Sequence, residues 1–272
     1  MKKITTIISA VALSLSLSGI SACAQTVTSP TESLAEQNTM SVLWYQTSGE
    51  AKALYYQGYN LGKMRLDDIL SKRVKNKGLK PAIVLDLDET VIDNSPLFAG
   101  KIVSGENYPL NWSKWEDKAA AQPLPGALEF LTYADSKGVA IFYITNRKEA
   151  KKAITVKNLQ AIGVPQAASD HVFLKQKGES GKENRRLQVA KTHEIVLLFG
   201  DNLGDFSGFD ELSVTGRIDA VTKHKEEFGR KLIVFPNPMY GDWEGAIYNH
   251  NSSKSIEERL KLRKESLQPF QP

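Results

Sequence analysis

Short runs of branched apolar residues alternate with longer stretches of mixed composition through most of this chain. Each run has the length of a buried strand, and strands that alternate with helical stretches are typical of βαβ units. The pattern therefore predicts an α/β fold of the Rossmann-like kind, in which a mostly parallel sheet is flanked by helices. The predicted strands are residues 82–85, 139–144, 171–174, 195–199 and 232–235.

Apolar residues recur at roughly helical spacing ahead of the first strand, between residues 40 and 75. The spacing is interrupted near Ser48 and Gly49, so we expect two helices that pack on the core. Gly58 and Gly62 fall inside the second helix. We expect them to weaken it, because glycine lowers the stability of a helix interior.

Two further segments stand out from the strand pattern. Residues 94–125, which carry Trp112 and Trp115, are long for a plain connection and predict a small cap over the strand ends. Residues 252–268 mix acidic and basic side chains with one isoleucine and three leucines, which predicts an exposed carboxyl-terminal helix.

The amino terminus has the order of a secretory signal peptide. Lys2 and Lys3 precede an apolar stretch at residues 4–17, and small residues then lead to Cys23. The stretch is too short for a membrane span. Residues 20–23 are similar to a bacterial lipobox, in which cleavage precedes an acylated cysteine. An ordinary signal peptide with an incidental cysteine is the alternative.

These features divide the chain into three parts. Residues 1–22 are expected to be the signal peptide, and residues 23–39 the lipidated terminus and a flexible tether rich in Thr, Ser, Gln and Pro. Residues 40–272 are the expected folded domain. Ala24 stands where an aspartate would favour the inner membrane, so we expect a lipid anchor at Cys23 in the outer membrane.

Charge and cysteine content narrow the class of protein. The formal net charge of +4 falls to +2 without residues 1–22, which hold two lysines and no acidic residue. This charge is too small to predict nucleic-acid binding. Cys23 is the only cysteine, so no disulfide can form within the chain. A homodimer is expected from the prevalence of twofold symmetry alone.

Polar residues suited to phosphoryl transfer follow several predicted strands, and the carboxyl ends of parallel strands meet at one edge of a sheet. The reaction needs an in-line nucleophile, a proton donor for the leaving oxygen, and cations or donors around the phosphoryl oxygens. The candidates are Asp86 and Asp88 after the first strand, Thr145, Asn146 and Arg147 after the second, Lys182 near the start of a helix, and Asp201 and Asp205 after the fourth strand.

The glycines near Lys182 do not form a nucleoside-triphosphate loop. Their spacing in residues 178–183 is too short, and Glu183 stands where such a loop needs serine or threonine.

Three segments carry a family resemblance: residues 86–95 (DLDETVIDNS), 144–147 (ITNR) and 200–206 (GDNLGDF). They resemble the motifs of the haloacid-dehalogenase-like (HAD) phosphohydrolases and, within them, of the bacterial class C acid phosphatases. Those enzymes are lipoproteins with four motif aspartates, and some are surface 5'-nucleotidases. The likeness runs from about Ser41 to about Glu258, and it implies a HAD fold with a small cap.

The resemblance implies roles for the acidic residues. Asp86 would be the nucleophile that forms an aspartyl-phosphate, and Asp88 would be the general acid and then the base. Asp88 would need a raised pKa for this, which we expect its neighbouring carboxylates to provide. Mg²⁺ would be held by Asp86, by the backbone carbonyl of Asp88 and by Asp201, with Asp205 in support. The absence of Cys and His from these motifs argues against zinc.

The resemblance also implies the substrate contacts. Thr145, Asn146 and Lys182 would bind the phosphate, although Lys175 and Lys177 lie close to Lys182 in the chain. Trp112 and Tyr240 would hold a nucleobase between their rings. Trp115 and Trp243 either contact the substrate or fill the core of the cap.

The resulting hypothesis is a Mg²⁺-dependent phosphomonoesterase, an acid phosphatase that hydrolyses nucleoside 5'-monophosphates and aryl phosphates. Two alternatives stay open on the same fold. One is a non-catalytic surface lipoprotein for adhesion or ligand capture, and the other is a phosphotransferase that passes the phosphoryl group to an alcohol.

Overall fold

A five-stranded parallel sheet forms the centre of the residues that this computed structural model describes, 30–74, 78–104 and 111–271. The strand order is β5-β4-β1-β6-β7, so β1 lies in the middle of the sheet. The strands are β1 Lys80–Leu85, β4 Ala140–Lys148, β5 Val172–Lys175, β6 His193–Gly200 and β7 Leu232–Val234, with β2 Ile92–Asp93 and β3 Gln122–Pro123 as a separate antiparallel pair. The predicted α/β fold is confirmed, and each predicted strand overlaps a strand of the sheet.

Helices cover both faces of the sheet. Ile83 and Leu85 of β1 belong to the core cluster on one face, and Ala82 and Val84 belong to the cluster on the other. The helices are α1 Pro30–Gln37, α2 Thr39–Thr47, α3 Gly49–Lys72, α4 Ser95–Ser104, α5 Trp112–Lys118, α6 Ala127–Ser136, α7 Lys152–Ala161, α8 Glu183–Ala190, α9 Val214–Lys223, α10 Asp242–Ile247 and α11 Ile256–Glu265.

The break predicted near Ser48 separates α2 from α3. The Ser48 hydroxyl accepts a hydrogen bond from the Ala51 backbone N–H at 3.0 Å and so caps α3. Gly58 and Gly62 lie inside α3 without ending it. Both sit where a core ring packs directly on the helix backbone, Phe235 against Gly58 and Phe199 against Gly62.

This packing makes Gly62→Ala a test of the α3 contact. A Cβ at Gly62 would lie 2.6 Å from the ring of Phe199, so alanine must displace a buried ring. We expect the free energy of unfolding, measured with urea, to fall by about 1–3 kcal/mol. The matched control is Gly100→Ala in α4, where a Cβ meets nothing within 4 Å. The control should be neutral or gain up to about 1 kcal/mol, and equal effects of the two variants would contradict close packing.

The segment predicted as a cap, residues 94–125, contains α4, α5 and the strand β3. The antiparallel pairing of β2 with β3 ties its two ends together. The cap therefore projects from the carboxyl end of the sheet, beyond the end of β1.

Part of the predicted flexible tether is helical in the structure. The signal peptide and Cys23 lie outside the described residues, but helix α1 begins at Pro30, within the predicted tether of residues 23–39. The helix packs against α4 and α11, and Gln37 accepts a hydrogen bond from Arg263 of α11 at 2.9 Å. Composition alone missed this order because it comes from contacts with distant parts of the chain. Within the described residues, no helix combines the length and apolar character needed to cross a membrane.

Candidate active site

The motif aspartates meet in one cavity at the carboxyl end of the sheet. Asp86 follows β1 directly and Asp201 follows β6, and these two strands are neighbours in the sheet. The cavity has a volume of about 510 Å³. Thr145 does not line the cavity but donates to Asp88, which does. The proposed residues that line it are Asp86, Asp88, Trp112, Asn146, Lys182, Asp201, Asp205 and Tyr240.

Three carboxylates form the base of the cavity. Asp86, Asp201 and Asp205 each offer an oxygen atom, and these atoms lie within 4.8 Å of one another. Lys182, 4% exposed, donates hydrogen bonds to Asp86 and, at 2.6 Å, to Asp205. Asn237 donates to Asp201 at 2.8 Å. Among the described residues, the base of the cavity thus contains one ammonium group and three acidic side chains.

The pKa values at the base of the cavity reflect burial first and this excess of acid second. Burial raises the pKa of Asp86 to about 7; the Lys182 ammonium opposes the rise, while the carboxylates of Asp205 and Asp88 add to it. Burial and the carboxylates of Asp205 and Asp86 raise the pKa of Asp201 well above its usual range. The single ammonium of Lys182 does not balance three carboxylates, and the all-oxygen ligands suit a hard divalent cation.

Asp88 has a different environment from the one that the sequence predicted. Arg147 donates to its carboxylate from Nε at 2.9 Å and from Nη2 at 2.7 Å, and Thr145 Oγ1 donates at 2.9 Å. Burial acts to raise the pKa of Asp88, but the Arg147 guanidinium and these hydrogen bonds outweigh it and hold the pKa below its usual range. The expectation that neighbouring carboxylates raise this pKa is wrong, because Arg147 lies closer to Asp88 and lowers it.

Arg147 was predicted to lie with the polar residues after the second strand, but no role was assigned to it, although a signal for one was present. Successive side chains of a strand point to opposite faces, so Thr145 and Arg147 in β4 share a face. The assignment of Thr145 to the site therefore also predicts that Arg147 points toward it.

Two arginines of α8 were missed as site residues. Arg185 donates to the Thr145 carbonyl at 2.5 Å and to Asn146 Oδ1 at 3.2 Å. Arg186 donates to the Asp205 carbonyl at 2.9 Å. Lys182, Arg185 and Arg186 have the i, i+3, i+4 spacing of one helix face, so the amino-terminal end of α8 contacts three motif segments at once.

Lys182 is the motif lysine that enters the cavity. Burial lowers its pKa, but the carboxylates of Asp205 and Asp86 reverse the effect and raise the pKa above its usual range. Lys182 is thus fully charged near neutral pH. Lys177, the nearby alternative, is exposed to solvent.

The aromatic side chains form one wall of the cavity rather than two separate faces. The ring centroids of Trp112 and Tyr240 lie 5.7 Å apart, with their planes inclined by 71°. Phe98 stacks on Tyr240 with a centroid distance of 4.9 Å and an angle of 15°. The predicted sandwich needs parallel rings with a gap between them, whereas here the two rings meet edge to face.

The sequence and fold are similar to those of known phosphatases. Residues 2–243 match the family described as HAD superfamily, subfamily IIIB (Acid phosphatase). A class B acid phosphatase from Morganella morganii is 24% identical over 227 residues, which cover 79% of this chain and 87% of that protein. Acid phosphatase 1 from Solanum lycopersicum is 25% identical over 225 residues, which cover 76% and 80%.

The structure of the class C acid phosphatase from Bacillus anthracis is similar with a TM-score of 0.84 and 54% identity. The match covers 88% of this chain and 99% of that one. A second structure of the Bacillus enzyme, with tungstate bound, gives a TM-score of 0.85. The chain therefore belongs to subfamily IIIB of the HAD superfamily and is an acid phosphatase, an enzyme that hydrolyses small phosphomonoesters.

Proposed function

We propose that this acid phosphatase is Mg²⁺-dependent, hydrolyses nucleoside 5'-monophosphates and aryl phosphates, and works through an aspartyl-phosphate on Asp86. The observation that carries the proposal is the convergence of Asp86, Asp88 and Lys182 on one cavity. This set contains a nucleophile, a proton carrier and a fixed cation, which are the parts that phosphoryl transfer requires.

In the first step, a carboxylate oxygen of Asp86 attacks phosphorus in line with the leaving oxygen. The new bond joins Asp86 to phosphorus, and the bond from phosphorus to the leaving oxygen breaks with its electron pair on that oxygen. The leaving oxygen takes a proton from Asp88 and departs as an alcohol or phenol. Lys182, which lines the cavity, and Thr145, which donates to Asp88, would bind the phosphoryl oxygens.

In the second step, water attacks the phosphorus atom of the aspartyl-phosphate and gives a proton to Asp88. The bond between Asp86 and phosphorus breaks, which releases inorganic phosphate and restores Asp86. Asp88 thus serves as acid and then as base, and no net proton is gained or lost by the enzyme.

The low pKa of Asp88 is compatible with a role as proton donor to the leaving oxygen. A bound phosphate ester places negative charge beside Asp88, and a nearby like charge raises the pKa of a carboxyl group. The charge of the substrate therefore opposes the effect of Arg147 on Asp88. The proton needed by the leaving group would be taken up as substrate binds.

The buried carboxylate of Asp86 and the partly buried carboxylate of Asp201 would hold Mg²⁺, with Asp205 supporting them. When bound, the ion would neutralise charge on the phosphoryl oxygens and on the carboxylate cluster. Asp205 is also held from within the chain, because it accepts hydrogen bonds from Lys182 and from the Asn202 backbone N–H at 2.9 Å. It is therefore suited to a supporting position.

The cavity favours a substrate with a flat organic group. Its volume of about 510 Å³ is in the range of small-molecule sites. Because Phe98 covers one face of Tyr240, a nucleobase or aryl ring would stack mainly on Trp112 in this arrangement. Stacking on an aromatic ring does not distinguish one nucleobase from another, which supports broad specificity.

We also propose that the enzyme is anchored to the outer membrane through a lipid on Cys23. The support is the lipobox-like sequence of residues 20–23 and the preceding apolar segment. Six residues separate Cys23 from Pro30, where α1 begins. The lipid would thus lie close in the chain to the folded domain.

Phosphate release by the protein from residue 24 onward tests the proposed function. We expect turnover of p-nitrophenyl phosphate and of nucleoside 5'-monophosphates with Mg²⁺, a loss of at least about 100-fold with EDTA, and recovery when Mg²⁺ is restored. Full activity in EDTA would overturn the metal proposal. Phosphorylated glycerol in place of free phosphate would identify a phosphotransferase.

Metal binding has a second readout in thermal stability. The pKa of Asp86 is about 7 in the folded protein and near ~3.9 in an unfolded chain, so the metal-free protein loses stability as the pH rises through this range. Mg²⁺ should therefore raise the melting temperature more at pH 8 than at pH 5. An equal rise at both values, or none, would contradict binding at this cluster.

A further inference from the structure

Asn94 connects the cap to the proton-carrying aspartate. It is fully buried, and its amide nitrogen Nδ2 donates to Asp88 Oδ1 at 2.9 Å and to Glu89 Oε2 at 3.3 Å. Its amide oxygen accepts from Trp115 Nε1 at 2.7 Å and from Arg147 Nη2 at 3.2 Å. Both ends of the amide are therefore fully used.

Trp115 provides the link to the cap. It lies in α5, and its indole N–H is directed at Asn94. Trp115 does not line the cavity, whereas Trp112, one turn earlier in the same helix, does. The opposite side of α5 is also held in place, because Asp117 on that side accepts a hydrogen bond from Lys151, just before α7, at 2.5 Å.

We propose that Trp115 and Asn94 are positioning residues through which the cap helix α5 orients the Asp88 carboxyl group toward the leaving oxygen. Trp115 fixes the rotation of the Asn94 amide by binding its oxygen. The amide nitrogen is then held toward Asp88 Oδ1, while Oδ2 accepts from Thr145 at 2.9 Å and from Arg147 Nε at 3.2 Å and faces the cavity.

The chemistry of the amide explains why this position suits asparagine. A carboxylate at position 94 would accept from Trp115 and Arg147 but could not donate to Asp88. An aliphatic side chain would leave the indole N–H and a carboxylate oxygen without these partners. Asparagine alone among side chains of this size donates to an acid on one side and accepts from an indole on the other.

The inference rests on the proposed role of Asp88, and the dependence on leaving group tests it. A nitrophenolate leaves without a proton, whereas the alkoxide of an alkyl phosphate needs one in the transition state. Misorientation of Asp88 should therefore slow alkyl phosphates selectively. The parameter to compare is kcat/KM, which reports the steps through the first irreversible one and excludes hydrolysis of the intermediate.

The main variant is Trp115→Phe, which keeps an aromatic ring but removes the N–H donor. With Mg²⁺ present, we expect kcat/KM for an alkyl phosphate such as phenethyl phosphate to fall about 10-fold or more, and that for p-nitrophenyl phosphate to change by less than about 3-fold. Asn94→Asp should shift the ratio in the same direction and further. Because Asn94→Asp adds a buried charge, Trp115→Phe remains the deciding variant if the aspartate protein does not fold.

The matched control is Trp243→Phe, since the Trp243 indole N–H also donates to a nearby acceptor, the Tyr240 carbonyl at 3.2 Å, but does not reach Asn94. It should leave the ratio of the two kcat/KM values unchanged. An equal loss on both substrates in Trp115→Phe, or no loss on either, would overturn the positioning role. A wild-type protein inactive on both substrates would instead overturn the proposed function.

Discussion

Asp86→Asn is expected to abolish phosphate release, with a loss in kcat/KM of at least about 10⁴-fold on p-nitrophenyl phosphate. The amide has the shape of the carboxylate but is not a nucleophile toward phosphorus. Lys182 keeps its hydrogen bond to Asp205 in this variant, so the ammonium is not left without a partner. The protein should therefore stay folded while its activity disappears.

The same variant tests the covalent intermediate. Wild-type protein quenched in acid during turnover should carry one phosphoryl group on the peptide that contains Asp86, and Asp86→Asn should carry none. Asp170→Asn is the matched control, because Asp170 is an exposed aspartate outside the cavity. It should keep wild-type activity and labelling. Full turnover by Asp86→Asn would contradict the covalent mechanism.

The strands of the sheet were predictable because a strand that is buried on both faces appears in the sequence as a run of apolar residues. Ile83 and Leu85 pack on one face of β1 while Ala82 and Val84 pack on the other, so the strand reads as an unbroken apolar run. The position of Asp86 at the end of that run then locates it at the edge where the strand ends meet. Periodicity and topology together were sufficient for this part of the site.

The electrostatics of Asp88 were not predictable in the same way. The sign of its pKa shift depends on whether Arg147 or a carboxylate lies nearer to it. Arg147 of β4 donates to Asp88, and this contact determines the direction of the shift. Residue spacing shows which side chains share a face of β4 but gives no distances. The prediction therefore identified the neighbours of Asp88 incompletely and assigned the wrong direction to the shift.

Helix α1 shows a different limit. Its polar residues cannot form a core of their own, which is why composition predicted a tether there. The helix is held by packing against α4 and α11, elements that begin about 65 and 225 residues later in the chain. Local composition contains no information on contacts at such separations, so order at the amino-terminal edge of the domain was underestimated.

Lys182→Met should have the largest combined effect on stability and activity. The Lys182 side chain is buried between Asp86 and Asp205, and methionine of similar length would leave these acids without their ammonium partner. Removal of one partner from a buried ion pair typically costs about 3–5 kcal/mol, so urea unfolding should show a loss of this size in metal-free protein. Loss of a fixed cation at the phosphoryl oxygens should lower kcat about 10²–10³-fold.

The matched control for this prediction is Lys177→Met, at a lysine five residues earlier in the chain. Lys177 is exposed, so its replacement should change stability by less than about 0.5 kcal/mol and leave turnover unchanged. Mg²⁺ should recover part of the stability of Lys182→Met, because a divalent cation also neutralises Asp86, but it should not restore kcat. If the two lysine variants behaved alike, Lys182 would be only a solvated charge, and the cation that binds the phosphoryl group would have to be another residue.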